Sequence, residues 1–273
     1  MGTVVRVGDN ALSALLGQRV IIDGWLRDWD DPLNQSKAGY FGSECDGGYA
    51  QYTTVSHRQV HPVKSALSDA ELATFACSYV TAENMLNRGA VTAGDTVLVT
   101  GASGGVGSAL IQLANRRGAQ CVGLCGADKA DDVKAVGPLA VIDRNCSDLG
   151  SALRDAIGKE SVDVVADVVG GSLWPQLITA LVRGGRYTCA GAIAGPMVEF
   201  DLRTFYLRDL TFTGATVPLP GVFEDLVGYI ERDEIRPLLA ATYPLEDFHA
   251  AQQAFIDKRH VGNIVTEPFP PRP

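Results

Sequence analysis

Thr96-Val-Leu-Val-Thr-Gly101-Ala-Ser-Gly104-Gly105-Val-Gly107 is the densest chemical signal in the chain, an apolar run followed by four glycines. Glycines so placed let a backbone turn sharply at a strand end and come close to a pyrophosphate. The helix that follows would add free N–H groups and the positive end of its dipole. Four glycines cost conformational entropy that a plain strand-to-helix turn would avoid, so a bound phosphate accounts for them better. Two overlapping patterns compete. Gly101-x-Ser103-x-Gly105 has the form of a nucleophile elbow, with Asp167, His249 and His260 downstream as triad partners. That elbow needs only its two flanking glycines and leaves Gly104 and Gly107 unexplained. Thr100-Gly101-x-x-x-Gly105-x-Gly107 also fits a pattern that works with a Tyr and a Lys four residues later, and none of the eight tyrosines has that Lys. A P-loop is excluded too, because no Gly-Lys-Ser/Thr follows.

The elements around the loop must hold it in place. Apolar strands are expected at 96–100, 120–124, 139–142, 162–167, 185–190 and 210–215, alternating with helices at 105–117, 129–136 and 174–181. Near-continuous apolar strands alternating with amphipathic helices predict an α/β unit, a doubly wound parallel sheet covered on both faces. Before residue 77 the apolar stretches are short and broken by turn residues, at 4–7, 19–22, 49–55 and 59–62, with an irregular loop over 28–48. That predicts a β-rich segment. After a helix at 222–232, Pro237 opens a third stretch. It holds a strand near 238–243, a helix at 245–258 and a short strand at 263–266, and is expected to return to the N-terminal segment. The boundaries read as 1–77, 78–236 and 237–273, with a frayed proline-rich end at 268–273.

Composition narrows the partners. Of the 273 residues, 46% are hydrophobic and 20% charged, which suits a globular chain long enough to bury a core. A net charge of −9 repels a phosphate backbone, so no nucleic acid is expected. No apolar run reaches the roughly 18–20 residues of a membrane span, and no membrane partner is expected either. Six scattered cysteines without a CxxC pair predict reduced thiols and a cytoplasmic location.

Five blocks in order carry a family resemblance: Gly94-Asp-Thr-Val-Leu-Val-Thr-Gly-Ala-Ser-Gly-Gly-Val-Gly107, Val164-Val-Ala-Asp-Val-Val-Gly-Gly171, Gly184-Gly-Arg-Tyr187, Gly191-Ala-Ile-Ala-Gly195 and His260-Val-Gly-Asn-Ile-Val265. Together they resemble the medium-chain dehydrogenase/reductase superfamily, in its zinc-independent quinone oxidoreductase-like branch. The resemblance implies a Rossmann-type domain with an incomplete, β-rich GroES-like substrate domain. Residues 2–8 and 48–54 match strands of that second domain, which in the family follow further strands, so the chain is expected to start after them. The family's phosphate loop falls on Ala102, Gly104 and Gly107, with Gly105 inside it. The same resemblance brings Val106 and Thr81 to the nicotinamide and lines that half of the cofactor with Gly191 and Ala192.

Cys77 falls where the zinc-dependent branch has its third catalytic ligand. One thiolate holds no zinc, because a catalytic site takes about three protein ligands. Cys45 also stands alone where a structural cluster would be, so no metal is expected and Cys77 reads as a small buried residue beside the cofactor. His57 and His61, four apart on strand and loop, would lie about 13 Å from each other, too far to share an ion. The second strand of the α/β unit ends in neutral Cys125-Gly126-Ala127, then Asp128 and Lys129. A neutral end with a cation beside it favours the 2′-phosphate of NADPH, with NADH kept open by Asp128. Lys129 as a solvated helix-start lysine is the plainer alternative. Without zinc, the oxyanion that hydride transfer creates needs a hydroxyl or water as donor, and Tyr79, two residues from both Cys77 and Thr81, is the catalytic candidate against a packed core tyrosine. The implied activity is NADPH-dependent reduction of a quinone, enone or related carbonyl. A dinucleotide-binding protein without catalysis is the alternative from another class. The resemblance also implies a homodimer, paired through the edge strand at 210–215.

Overall fold

The computed structural model describes residues 1–268. The chain divides into two compact units. The first joins Met1–Val80 to the chain from Val217 onward; the second is Thr81–Thr216.

The first unit begins with short strands: β1 (Gly2–Thr3), β2 (Arg19–Ile22), β3 (Trp25–Leu26), β4 (Gly39–Tyr40) and β5 (Val60–Pro62). β1, β2 and β5 make a three-stranded antiparallel sheet in that order, and β3 pairs with β4. Val20, Ile21 and Trp25 are buried in it. Helix α1 (Asp69–Ala73) is opened by a reciprocal cap. The Ser68 hydroxyl accepts from Glu71 N–H while the Glu71 carboxylate accepts from Ser68 N–H at 2.7 Å, satisfying amides the first turn leaves free. Helix α2 (Ser78–Arg88) then carries the chain across the boundary between the units.

In the second unit β6 (Thr96–Val99), β7 (Gln120–Cys125), β8 (Ala140–Asp143), β9 (Val162–Asp167), β10 (Leu181–Cys189) and β11 (Thr211–Gly214) form one parallel sheet in the order β11-β10-β9-β6-β7-β8. Helices α3 (Gly105–Arg116), α4 (Ala130–Ala135), α5 (Leu149–Ile157), α6 (Trp174–Thr179) and α7 (Leu202–Leu207) connect its strands. Val97–Val99 of β6 and Val164–Ala166 of β9 are wholly buried, as strands covered on both faces must be. The strand order turns outward between β6 and β9. At that point the loops leaving the two C-terminal strand ends run in opposite directions and open a crevice. The predicted doubly wound α/β fold is therefore the fold of this unit.

The chain returns to the first unit with α8 (Val222–Glu231), β12 (Leu239–Pro244), α9 (Phe248–Asp257) and β13 (Asn263–Glu267), β12 and β13 forming a parallel pair. Three contacts tie this return to the N-terminal part. Ser78 Oγ donates to Asn263 Oδ1 at 2.7 Å, Tyr79 OH to the Arg236 carbonyl at 2.9 Å, and Lys64 N–H to the Glu231 carboxylate at 2.9 Å. The Lys64–Glu231 bond ties α8 itself to the first unit, and the boundary falls before this helix, at Val217, rather than after it at 236.

The expected strands at 4–7 and 49–55 do not form. Val4 N–H still reaches the Gln18 carbonyl at 3.1 Å, but β1 stops at Thr3 and Val5 faces solvent. Tyr49 and Tyr52, 72% and 71% exposed, lie in a stretch with no strand beside it among the described residues, and an apolar alternation alone makes no ladder. The loop expected at 28–48 holds β4. Helices α5 and α7 carry no expectation from the sequence. The strand at 185–190 starts earlier, at Leu181, with a register shift between Leu181 and Arg186. Residues 269–273 of the proline-rich end lie outside the described residues.

Candidate functional site

The glycine run sits at the C-terminal end of β6, where the crevice opens. Gly101 has φ +58°, left-handed backbone that favours glycine. At Gly107 an added Cβ would stand 2.1 Å from the Gly101 carbonyl oxygen and 2.7 Å from Ala102 Cα, so only glycine lets α3 close onto the turn. α3 begins after Gly104 with no side-chain cap, while Gly105 and Val106 stay half-buried at its first turn. Ala102 is wholly buried and donates its N–H to the Leu124 carbonyl at 3.0 Å, fixing the turn to β7. An uncapped twelve-residue helix behind a turn stripped of Cβ atoms fits a pyrophosphate.

Beneath this loop a buried carboxylate gathers donors. Asp167 Oδ1 accepts from Thr100 Oγ1 at 2.5 Å and Val169 N–H at 2.8 Å, Oδ2 accepts from Tyr187 OH at 2.7 Å, and Gly170 N–H lies 3.2 Å from both oxygens. Thr100 Oγ1 accepts in turn from Val168 N–H at 3.0 Å. Burial, with the Asp167 carboxylate beside it, pushes the Tyr187 phenol far above its ordinary value. Asp167, weighed above as a triad member, thus spends itself on two hydroxyls and two amides, none of them a histidine.

The loops after β9 and β10 pack backbone on backbone. Gly171 N–H donates to the Gly195 carbonyl at 3.0 Å and Ala194 N–H to the Val169 carbonyl at 2.9 Å. An added Cβ at Gly171 would be 2.7 Å from the Ala194 oxygen, and one at Gly191 would be 3.0 Å from the Val168 oxygen. Gly191 and Ala192, half-buried, are thereby held against the loop that Asp167 organises. Thr81 is half-buried near the start of α2.

At the end of β7 the arrangement is more crowded than the sequence suggests. Lys129 is half-buried, and Asp128 turns back so that its Oδ1 lies 2.5 Å from where a Cβ on Gly126 would stand. Arg144, just past β8, donates its backbone N–H to the Cys125 carbonyl at 2.8 Å. Burial, then Asp128 and Asp143, push the Cys125 thiol up, while Arg144 and Lys129 oppose them. Arg144 thus shares the strand end with Lys129. Parallel pairing of β7 with β8 brings it there, a register no local motif announces.

In the first unit two expectations give way. Tyr79 is fully buried, its hydroxyl given to the Arg236 carbonyl and its ring 4.5 Å from Phe75, a place for packing rather than proton delivery. Cys77 is exposed instead of buried, because it falls between the 3₁₀ turn Thr74–Ala76 and α2 rather than on a packed face. Tyr40, 42% exposed and with its ring tilted against Trp25 at 4.1 Å, has its phenol pushed up by partial burial, then by Cys77 and Glu44.

The described residues contain no group of three His, Cys, Asp or Glu side chains that could hold a metal ion. His57 is exposed. His61 packs its ring 4.6 Å from Phe223, and burial pushes its pKa down. Its Nε2 is buried without a hydrogen-bond partner, near the Asp23–Arg27 ion pair of 2.7 Å. The residues present do not fit a zinc ion.

A family model described as Zinc-binding dehydrogenase matches residues 105–232. A solved putative alcohol dehydrogenase from Sinorhizobium meliloti 1021 is 46% identical, covers 97% of this chain, is itself covered to 74%, and superposes with a TM-score of 0.93. An acryloyl-coenzyme A reductase of Metallosphaera sedula is 29% identical over 275 residues, 97% of this chain and 80% of its own length. A 2-octenoyl-CoA carboxylase reductase, solved with NADP and 2-octenoyl-CoA, is 25% identical with a TM-score of 0.85, covering 92% of this chain and 63% of that one.

Proposed function

The chain belongs to the medium-chain dehydrogenase/reductase superfamily as an oxidoreductase that works with a nicotinamide dinucleotide, and we propose that it reduces the C=C bond of an enone or α,β-unsaturated acyl thioester. The observation that carries this reading is the dinucleotide crevice, a turn cleared of Cβ atoms at the switch point of the sheet, beside the likeness to an acryloyl-coenzyme A reductase. Quinones are a second substrate class that the family resemblance supports.

When bound, the dinucleotide supplies a hydride, which at the β carbon of a conjugated carbonyl leaves an enolate in need of one proton. The residues of this chain hold and orient it. The turn Gly101–Gly107 and the start of α3 take the pyrophosphate, Lys129 and Arg144 meet a 2′-phosphate, and Thr81, Val106, Gly191 and Ala192 flank the nicotinamide. The two cations support NADPH, while Asp128 supports NADH; NADPH is the reading taken here. We further propose a homodimer in the cytoplasm. β11 is the sheet's outer strand, and α7 just before it exposes Leu202, Tyr206 and Leu207, an apolar edge that a second copy would cover.

Oxidation of NADPH and NADH is to be followed with enoyl-CoA thioesters, enones, quinones and simple aldehydes. Turnover confined to the conjugated acceptors is expected. Turnover of aldehydes alone would refute the reading, and tight cofactor binding with no turnover on any acceptor would favour a non-catalytic dinucleotide-binding protein.

A further inference from the structure

Asp167 is a wholly buried carboxylate at the switch point of the sheet, and none of the expectations above assigns it to the cofactor site. Four donors converge on it from three directions. Thr100 comes from the strand end that becomes the glycine turn, Val169 and Gly170 from the loop after β9, and Tyr187 from β10. An ionised carboxylate only accepts, with room for about four donors, whereas an amide or hydroxyl would bring a donor of its own to face one of them. Full burial leaves water little access to replace a lost bond.

These bonds make a short mechanical path. Thr100 adjoins Gly101, the first residue of the turn that takes the pyrophosphate. Val169 and Gly170 adjoin Gly171, whose N–H is bonded to the Gly195 carbonyl, and Val169 accepts from Ala194. Gly191, in the same loop after β10, sits on the Val168 carbonyl. One side chain therefore stands between the loop that holds the middle of the dinucleotide and the loop that flanks its nicotinamide end.

We propose that Asp167 is a positioning residue for the cofactor, setting the spacing of these two loops so that both ends of the dinucleotide are held at once. The proposal rests on the dinucleotide-binding reading above. It differs from a general structural role in one measurable respect. Loss of spacing weakens a ligand that spans both loops far more than one that touches a single loop, whereas loss of fold weakens both alike.

The test uses the full chain and two probes, NADPH and its adenine half 2′,5′-ADP, titrated by calorimetry beside a thermal melt. Asp167→Ala is expected to weaken NADPH about 10- to 100-fold and 2′,5′-ADP by no more than about threefold. Asp167→Asn keeps one acceptor oxygen for Thr100 and the loop amides but turns an N–H donor toward the Tyr187 hydroxyl, so it is expected to recover only part of the affinity that alanine loses, with NADPH still weakened more than 2′,5′-ADP. Thr100→Val cuts the tie to the glycine turn, together with the bond from Val168 N–H, and should show the same asymmetry, which keeps the test valid if the alanine variant does not fold. Equal loss of both ligands in the folded variants, or no loss of either, overturns the proposal. Failure of the unaltered chain to bind either NADPH or NADH would instead overturn the dinucleotide reading, and the proposal with it.

Discussion

The two units solve the problem of burying a β-strand in opposite ways. In Thr81–Thr216 six strands share one parallel sheet, and the inner residues Val97–Val99 and Val164–Ala166 of its central strands are wholly buried. Among the described residues of the other unit seven strands are spread over three sheets of two or three strands, and β12 alternates between half-buried and exposed along its whole length. The contrast extends to chemistry. The second unit builds its site from backbone, through glycines whose missing Cβ atoms make room. Within the first unit the side chains of Tyr40, Cys77 and His61 have environments that depend on short segments meeting from distant parts of the chain. Backbone sites tolerate no added atom, and side-chain sites respond to charge and pH.

The sharpest way to break this contrast is a pair of glycine substitutions. Gly107→Ala puts a Cβ 2.1 Å from a backbone oxygen and is expected to cost on the order of 100-fold in NADPH affinity together with a lower melting temperature. Gly47→Ala in the first unit also collides with backbone, 2.7 Å from Gly42 Cα, yet should leave NADPH binding within about twofold, since only an exposed loop moves. Equal effects in fluorescence titrations would erase the distinction. Next in size, Lys129→Ala should weaken NADPH by about 1–3 kcal/mol, the scale of a lost charge-assisted bond, and leave NADH nearly unchanged. Equal losses would show that Lys129 does not read the 2′-phosphate.

Assembly probes the same contrast at the edge of the large sheet. Sedimentation at micromolar concentration is expected to give a dimer held through β11, and a stable, soluble monomer would refute it. A smaller effect is expected in the first unit, from pH. Burial lowers the His61 pKa in the folded chain, so the unfolded chain takes up the proton first. The stability His61 lends is whole above about pH 6.5 and drains as pH falls toward its folded value. Asp23 carries the opposite sign, because burial raises its carboxyl and its contribution is lost as pH rises through the folded value. His61→Leu should therefore lessen the fall in melting temperature between about pH 6.5 and 5 by about 2–5 °C. An unchanged slope would place the acid sensitivity elsewhere. The smallest expected effect is none at all. Activity should survive chelators, and elemental analysis should find no stoichiometric zinc; one zinc per chain with activity lost in Cys77→Ser would overturn the metal-free reading.

Legibility in the sequence follows the same division. A strand covered on both faces must be apolar throughout, so β6, β7 and β9 announce themselves within a residue or so of their true ends. The glycine turn was equally plain, since its chemistry needs glycine at fixed offsets. Asp167 and Arg144 were not, because their roles come from parallel pairing between strands far apart in the chain. In the first unit Tyr49 and Tyr52 have the alternation of a strand and lack a neighbouring ladder, which no local pattern reports. Tyr79 takes the packed-core alternative, because its face of α2 turns toward Arg236 and Phe75, and Cys77, just before α2, is exposed where burial was expected.

One further consequence follows from the path of the chain. It leaves the first unit at Val80 and re-enters it at Val217, with the second unit a single uninterrupted stretch between. Synthesis runs from the N-terminus at about 5–20 residues per second, and domains fold as they emerge. The parallel sheet has every residue it needs before α8 has been made. Lys64, Ser78 and Tyr79, translated earlier, must wait for Glu231, Asn263 and Arg236 to leave the ribosome. Residues 1–80, made before the parallel sheet, are thus finished after it, and apolar side chains such as Phe75 and Leu72 reach their full burial only once the later stretch has been made.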